Sequence, residues 1–300
     1  MQDKEYPWLF CASDIASRTA QRLYLRILAL QLFLFFSVSL LGLVIKLVGA
    51  PNHKHMVLVL ISILLGLAIA TMLLSRRRRL DKSWFDGRAV AESVKTATWR
   101  YMMKAPPFHD EADADGHFAS ELNEIRRARP AISVTLAASG FDGTVISEFM
   151  LRMRNSDFLT KKAEYTKSRI CDQRFWYEQK AKWNQTRASI WYWLILALQV
   201  FALALSLIAA SFGEFRINVV GLMMTIAAAF TAWAQAKRHD DLFNSYGLAA
   251  QELQAIEFLM EKASDESLFH ELVDQVENAI SREHTMWCGK RSTTSISLRS

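Results

Sequence analysis

The chain has 300 residues, 51% of them hydrophobic and 22% charged, with 36 Lys and Arg against 30 Asp and Glu for a net charge of +6. Length alone allows two domains of ordinary size. The apolar residues are gathered into blocks, which excludes an ordinary soluble fold, and the three cysteines lack any CxxC spacing, which excludes a zinc or disulfide framework and predicts free thiols.

A polar head, residues 1–26, carries Arg18, Arg22 and Arg26 and lacks the pattern of a cleavable signal peptide. The first apolar block follows at Ile27–Val48, predicting a span over 27–49. A turn at Gly49–His55 leads to the second block, Met56–Leu74, a span over 56–74. The run Arg76–Arg79 and Lys82 close it, and "LDKSWFDGRAVAESVKTATWRYMM" reads as a helix continuing beyond. Residues 1–108 thus form a first two-span unit. Residues 109–143 are rich in glycine, proline and acid and read as a linker, with one short helix near Phe118–Arg127 and "AISVTL" as a strand or extended loop. A helix restarts near Thr144 and opens a second unit, 144–286. From Asn155 to Ser211 there is no proline or glycine, predicting one unbroken helix whose part before the membrane, Phe158–Ser189, is about 45 Å long. The third and fourth blocks, Ile190–Phe212 and Ile217–Ala236, predict spans over 190–212 and 217–236. Lys237 and Arg238 follow, then "DDLFNSYGLAAQELQAIEFLM" as another continuing helix. Ser264 is placed to cap a last helix with Leu268, Leu272, Val276 and Ile280 on one face, and residues 287–300 read as a disordered tail.

Each block is long enough to cross about 30 Å of hydrocarbon. Thirteen basic residues flank the two outer edges of these pairs, while the turns offer Lys46, Lys54 and Arg216. The positive-inside rule therefore puts both termini and all long segments in the cytosol. The fold class is an all-α integral membrane protein: four transmembrane helices as two tandem hairpins, with long cytosolic helical extensions. The pentapeptide "ILALQ" occurs at Ile27–Gln31 and again at Ile195–Gln199. A shift of 159 aligns Trp84 with Phe243, Ala91 with Ala250, Val94 with Leu253 and Trp99 with Phe258. The same order of parts in each half points to an internal duplication.

Small residues recur every fourth position in the spans: Ser62, Gly66 and Ala70 in the second, Ala202, Ser206 and Ala210 in the third, Gly221, Thr225 and Ala229 in the fourth. Such stripes let helix backbones approach closely, within one subunit or between subunits of an oligomer. Gln31 and Gln199 lie just inside the cytosolic edge and serve either as interhelical hydrogen-bond partners or as a polar ring at a pore mouth. The spans carry no Asp, Glu or Arg, which argues against proton-coupled transport. In "HDEADADGH", Glu111, Asp113, Asp115 and Gly116 mimic part of an EF-hand loop, but the closing glutamate is replaced by Leu122, so the segment reads as a solvated acidic loop. There is no Walker A, GxGxxG, HExxH or GxSxG pattern. No enzyme activity, metal or cofactor is expected; His109, Asp110, His117 and His239 are the residues an interfacial enzyme would have to use.

The segment "YTKSRICDQRFWYEQKAKWNQTRA" before the third block resembles the first helix of the bacterial SLATT domains, two-transmembrane effector modules associated with SMODS and SLOG proteins. In the first half, "ASDIASRTAQRLYLRILALQ" and "WFDGRAVAESVKTATWRYMMKAPPF" resemble another SLATT subfamily. The resemblance implies an inner-membrane effector of bacterial conflict systems that forms pores once a nucleotide second messenger or other signal is sensed. It carries no separate nucleotide-binding domain, so the sensor would be a partner protein or the chain's own cytosolic helices.

The sequence therefore predicts an oligomeric, pore-forming effector, with a membrane-anchored scaffold recruiting cytosolic partners as the alternative. Membrane lipids, other copies of the chain and a sensor or nucleotide messenger are its expected partners; nucleic acid is not. Asp172, Gln173, Trp176, Tyr177, Lys180 and Asn184 are read as the helix face that couples cytosol to span.

Overall fold

The computed structural model describes residues 1–48, 51–109, 113–130, 143–212 and 219–296. They form ten helices beyond a short 3-10 turn at Asp3–Glu5, and no strand occurs among the described residues. The helices are α1 (Trp8–Val48), α2 (Pro51–Arg78), α3 (Leu80–Met102), α4 (Ala114–Arg127), α5 (Glu148–Arg154), α6 (Phe158–Tyr165), α7 (Asp172–Phe212), α8 (Val219–Lys237), α9 (His239–Lys262) and α10 (Glu266–Ile296). The segment "AISVTL" lies outside the described residues. Four helical stretches, within Trp8–Ile45, Lys54–Met102, Phe158–Ser211 and Val219–Lys262, are long and apolar enough to cross a membrane.

The chain divides into two compact units that cut across the order of the sequence. A polar unit gathers 1–21, 81–181 and 244–300; an apolar unit gathers 22–80 and 182–243. Each unit therefore takes segments from both halves of the chain.

The polar unit has a conventional core. On α3, Val90, Ala91, Val94, Ala97, Thr98 and Tyr101 are buried at spacings of one helical face. Phe118 and Leu122 of α4 enter the same unit and Tyr101 donates to Asp115 at 2.6 Å, so part of the expected linker is core, and Asp115 is engaged by a tyrosine. Local caps fix where helices begin. Ser147 accepts from Met150 N at the start of α5, and Asp157 from Thr160 N at the start of α6. The last helix is capped by Asp265, which accepts from Leu268 N at 2.8 Å, one residue beyond the expected Ser264. Its buried face is Phe269, Leu272, Val273, Val276 and Ile280, whereas Leu268 is exposed. The backbone of α10 continues through Ile296, into the stretch expected as a tail.

The predicted long rod is helical throughout but not uniformly α. Thr166–Cys171 between α6 and α7 is a π turn. One extra residue per turn there re-aims the side chains that precede it.

The apolar unit is built differently. Its buried apolar positions among the described residues are Ile27, Leu34, Ala68, Leu80, Ala202, Leu222 and Ala227, three of the seven alanine, as close packing in lipid favours. Two seams have residues in both units: on α1 the positions Ser13, Ser17, Ala20, Tyr24, Ile27, Gln31, Leu34, Val38, Leu41 and Ile45 alternate by four and three, and none is exposed. On α7 the same holds for Tyr177, Ala181, Asn184, Ala188, Trp191, Ile195, Leu198, Ala202, Leu205 and Ala209. A shift of 164 carries one seam onto the other, and also Trp8 onto Asp172 and Val48 onto Phe212. The pentapeptide match, at 168, is thus one helical turn out of structural register; a four-residue slip keeps apolar residues on nearly the same face, which is why the sequence tolerates it.

Candidate functional site

Three places carry chemistry or geometry that packing alone does not require: the outer faces of the spans, the two joints where spans pass into polar helices, and a buried ionic network at the π turn.

The seam of α2 is narrow. Val57, Ile61, Leu64, Ala68, Thr71 and Ser75 again alternate by four and three, and between Lys54 and Leu74 every other residue is exposed. At about 100° per residue, Ser62, Gly66 and Ala70 centre about 180° from that seam. All three are exposed, and a Cβ added at Gly66 would meet nothing within 4 Å. The stripe of α8 has the opposite role. Gly221, Thr225 and Ala229 are half-buried; Thr225 donates to Gly221 O at 2.9 Å and pairs with Ser39 of α1 at 3.2 Å. The third stripe is split, with Ala202 buried and Ser206 and Ala210 exposed. One stripe therefore packs within the chain, and one points away from it.

Gln31 and Gln199 do not hold equivalent places. Gln31 lies on the α1 seam, half-buried, where the 164 shift pairs it with Ile195; Gln199 lies off the α7 seam and is exposed. Among the described residues neither amide has a hydrogen-bond partner.

The coupling residues divide in the same way. Tyr177 and Asn184 are buried on the α7 seam, and Trp176 and Gln173 are half-buried beside it; Asp172 and Lys180 are exposed. Trp176 and Tyr177 meet Tyr246 of α9 edge-on and tilted, with ring centroids 5.3 and 5.6 Å apart. Asn184 Oδ1 lies 2.7 Å from His239 Nδ1, so the ring donates there. Burial first, then Lys237 and Arg187, holds the His239 imidazole below its ordinary pKa.

The joints repeat a backbone signature. Arg79, between α2 and α3, has φ 44, and Arg238, between α8 and α9, has φ 52. They are 159 residues apart, the shift that aligned the following helices in sequence. A left-handed arginine costs about 1–2 kcal/mol, so its recurrence at one register marks the two positions as equivalent. Burial agrees for Ala91 with Ala250 and Val94 with Leu253; it fails at Trp99, fully buried, against Phe258, 56% exposed.

No pattern pointed to the ionic network. Arg169, in the π turn, donates from Nε and Nη2 to Glu277 of α10 at 2.8 and 2.5 Å, and both residues are at most 1% exposed. Tyr165 donates to the same carboxylate at 3.0 Å and Thr96 of α3 at 2.9 Å. Nearby, Trp99 Nε1 donates to Tyr6 at 3.0 Å. Burial pushes the Tyr165 phenol well up, with Glu277 adding to it; burial alone would lower Arg169, but Glu277, with Tyr6 and Tyr165, raises it on balance. The network ties the first half of the chain, through α3, to the second. Its one trace in the sequence is that Glu277 falls four residues after Val273, inside an apolar stripe. His109 and His117 lie with no group of three metal-ligating side chains among the described residues, and Asp110 lies outside them.

Sequence models of two related domains match in tandem: SMODS and SLOG-associating 2TM effector domain 3 over residues 7–162, and SMODS and SLOG-associating 2TM effector domain 1 over residues 165–287. The chain belongs to the SLATT family. No curated protein and no solved structure matches it. SLATT domains are two-transmembrane effector domains associated with conflict systems, and with its four membrane-length helices this tandem SLATT chain is a multi-pass membrane protein. The two SLATT matches fit an internal duplication. Neither match coincides with a compact unit, since each SLATT domain supplies helices to both.

Proposed function

We propose that this tandem SLATT protein is an oligomeric effector of a bacterial conflict system that permeabilises the inner membrane when a signal, nucleotide-linked, is sensed. Its termini and polar unit face the cytosol, and it acts by assembly without enzymatic chemistry. The observation that carries this reading is the outward stripe on α2, directly opposite the seam that holds α2 to its own chain. A small-residue face is of little use against fluid lipid but lets a second helix backbone approach closely. Burial supports it: in the most apolar windows of the four helices only 11, 11, 6 and 6% of residues are buried. The seam of α7 runs from Tyr177 to Ala209 with no exposed position. The test is electrical recording of the purified protein in planar bilayers with nucleotide second messengers or neighbouring sensor proteins added. Absence of conductance and dye leakage under every such condition sinks the reading. Reporter fusions after Arg79, after Lys162 and at Ser300 should report cytosol, and tags at Pro51–Lys54 or Glu214 periplasm.

A scaffold is the second reading, favoured by exposed Leu159, Phe175 and Phe258 on the polar unit. It requires that unrelated spans of equal length preserve function, which a pore does not survive.

A further inference from the structure

The two joints share a backbone but not an electrostatic environment. At the end of α8 the charges are used within the chain. Lys237 Nζ lies 5.1 Å from the Trp233 ring centroid, and Arg238 reaches Asp241 through Nε and Nη2 at 2.7 and 2.6 Å. The preceding turn, Thr231 to Ala234, is half-buried. At the end of α2 the reverse holds. Arg76, Arg77, Arg78 and Arg79 are all exposed, and among the described residues none has an ion pair or hydrogen bond. Before them come Met72, Leu73 and Leu74, 60, 53 and 42% exposed, and then the half-buried Ser75. An outward apolar surface thus ends one residue before four consecutive unpaired guanidinium groups. One or two cations suffice to complement the C-terminal dipole of a helix. Four, spread around the helix at the height where the hydrocarbon ends, match a ring of phosphates.

We propose that Arg76–Arg79 forms a binding site for anionic phospholipid headgroups, held at the first joint and absent from the second. Guanidinium forks bind phosphate oxygens in pairs, and at about 100° per residue consecutive helical arginines point to different sides of α2, so that several headgroups are reached at once. The site is occupied by bilayer lipid rather than free phosphate because the exposed leucines beside it accept acyl chains. The inference rests on the membrane reading of α2 but not on pore formation, and its test leaves conductance aside.

The full chain is reconstituted in phosphatidylcholine vesicles containing trace spin-labelled phosphatidylglycerol or spin-labelled phosphatidylcholine, and the motionally restricted fraction is compared. Phosphatidylglycerol should associate more strongly, and about 1 M NaCl should abolish the excess. R76Q/R77Q/R78Q should lose the preference by about tenfold or more, R76K/R77K/R78K should keep most of it, and K237Q/R238Q should keep all of it. Equal association of both lipids with the wild type, a salt-insensitive preference, or an unchanged preference in the glutamine variant each overturns the site. If the glutamine variant loses helicity, the salt titration of the wild type decides. Displacement of the lipid by millimolar inorganic phosphate would overturn the assignment to a headgroup.

Discussion

In the polar unit Trp99, Tyr101, Tyr165, Phe118 and Phe269 are fully buried, and every one of the largest side chains below 2% exposure in the described chain belongs to this unit. In the apolar unit the wholly covered positions are Leu34, Ala202, Ala227 and a few others, while Phe33, Ile63, Leu203 and Leu207 stand about 60% exposed. The first arrangement has a closed aromatic core within one chain. The second is complete only when something apolar, lipid or another copy, covers it. Packing energy in the polar unit is therefore sensitive to single side chains, whereas in the apolar unit single changes on the outer face act on association.

The largest expected effect tests the closed half of that contrast. Replacing Glu277 with alanine leaves Arg169 charged, buried and unpaired, and should destabilise the polar unit by about 3–5 kcal/mol. Thermal unfolding in detergent, followed by circular dichroism, measures it. R169M/E277L should recover most of the loss, since an apolar pair of similar volume carries no uncompensated charge. Recovery of nothing would mean the pair specifies the π turn itself.

Next is a steric test in the same unit. A Cβ at Gly87 would lie 3.0 Å from Ser13 O and Ser17 Cβ and 3.1 Å from Ser17 N, so α1 and α3 touch there with almost no side chain between them. Two of those three atoms are backbone and cannot swing aside. Gly87→Ala should cost about 1–3 kcal/mol, read from the same melt. A neutral outcome would show that the helices separate readily at this point.

The outward stripe sharpens the other half. Gly66→Leu should leave the melting temperature unchanged while weakening self-association by about tenfold or more, measured by crosslinking in bilayers across a dilution series. Thr225→Leu, on the inward stripe beside Ser39, should do the reverse: lower the melt first. If Gly66→Leu destabilises and leaves association intact, α2 faces its own chain and the pore reading loses its carrying observation.

How much of this was legible depended on range. Span positions, the breaker-free helix and the joint register are local patterns, and the shift of 159 found from Ala91 and Val94 led directly to Arg79 and Arg238. The direction of the α2 stripe was not legible, because Ser62, Gly66 and Ala70 satisfy the small-residue rule on any face; only the seam at Val57, Ile61 and Leu64 breaks the tie. Phe118 and Leu122 were hidden by acidic, glycine-containing neighbours that look like linker. The π turn and the Arg169–Glu277 pair join residues more than a hundred positions apart, and nothing in "TKSRIC" announces an extra residue per turn.

The smallest effect concerns pH at the second joint. His239 is buried against Asn184, and burial first, then Lys237 and Arg187, lowers its pKa below the ordinary value of 6.5, with Asp240 opposing. A base with a lowered folded pKa binds fewer protons folded than unfolded once the pH drops below the unfolded value. Stability is therefore flat above about pH 7, falls as the pH drops through about 6.5, and levels again below the folded pKa. His270 in the polar unit is lowered too, mainly by burial, and adds a slope of the same sign. Melting temperatures from pH 7.5 to 5.5 should decline in the wild type. H239Q, whose amide still donates to Asn184 Oδ1, should decline less, and H239Q/H270Q should be nearly flat over this window. A wild-type slope that H239Q leaves untouched would mean that the imidazole at the second joint takes up its proton equally well folded and unfolded, and that the joint is open to water.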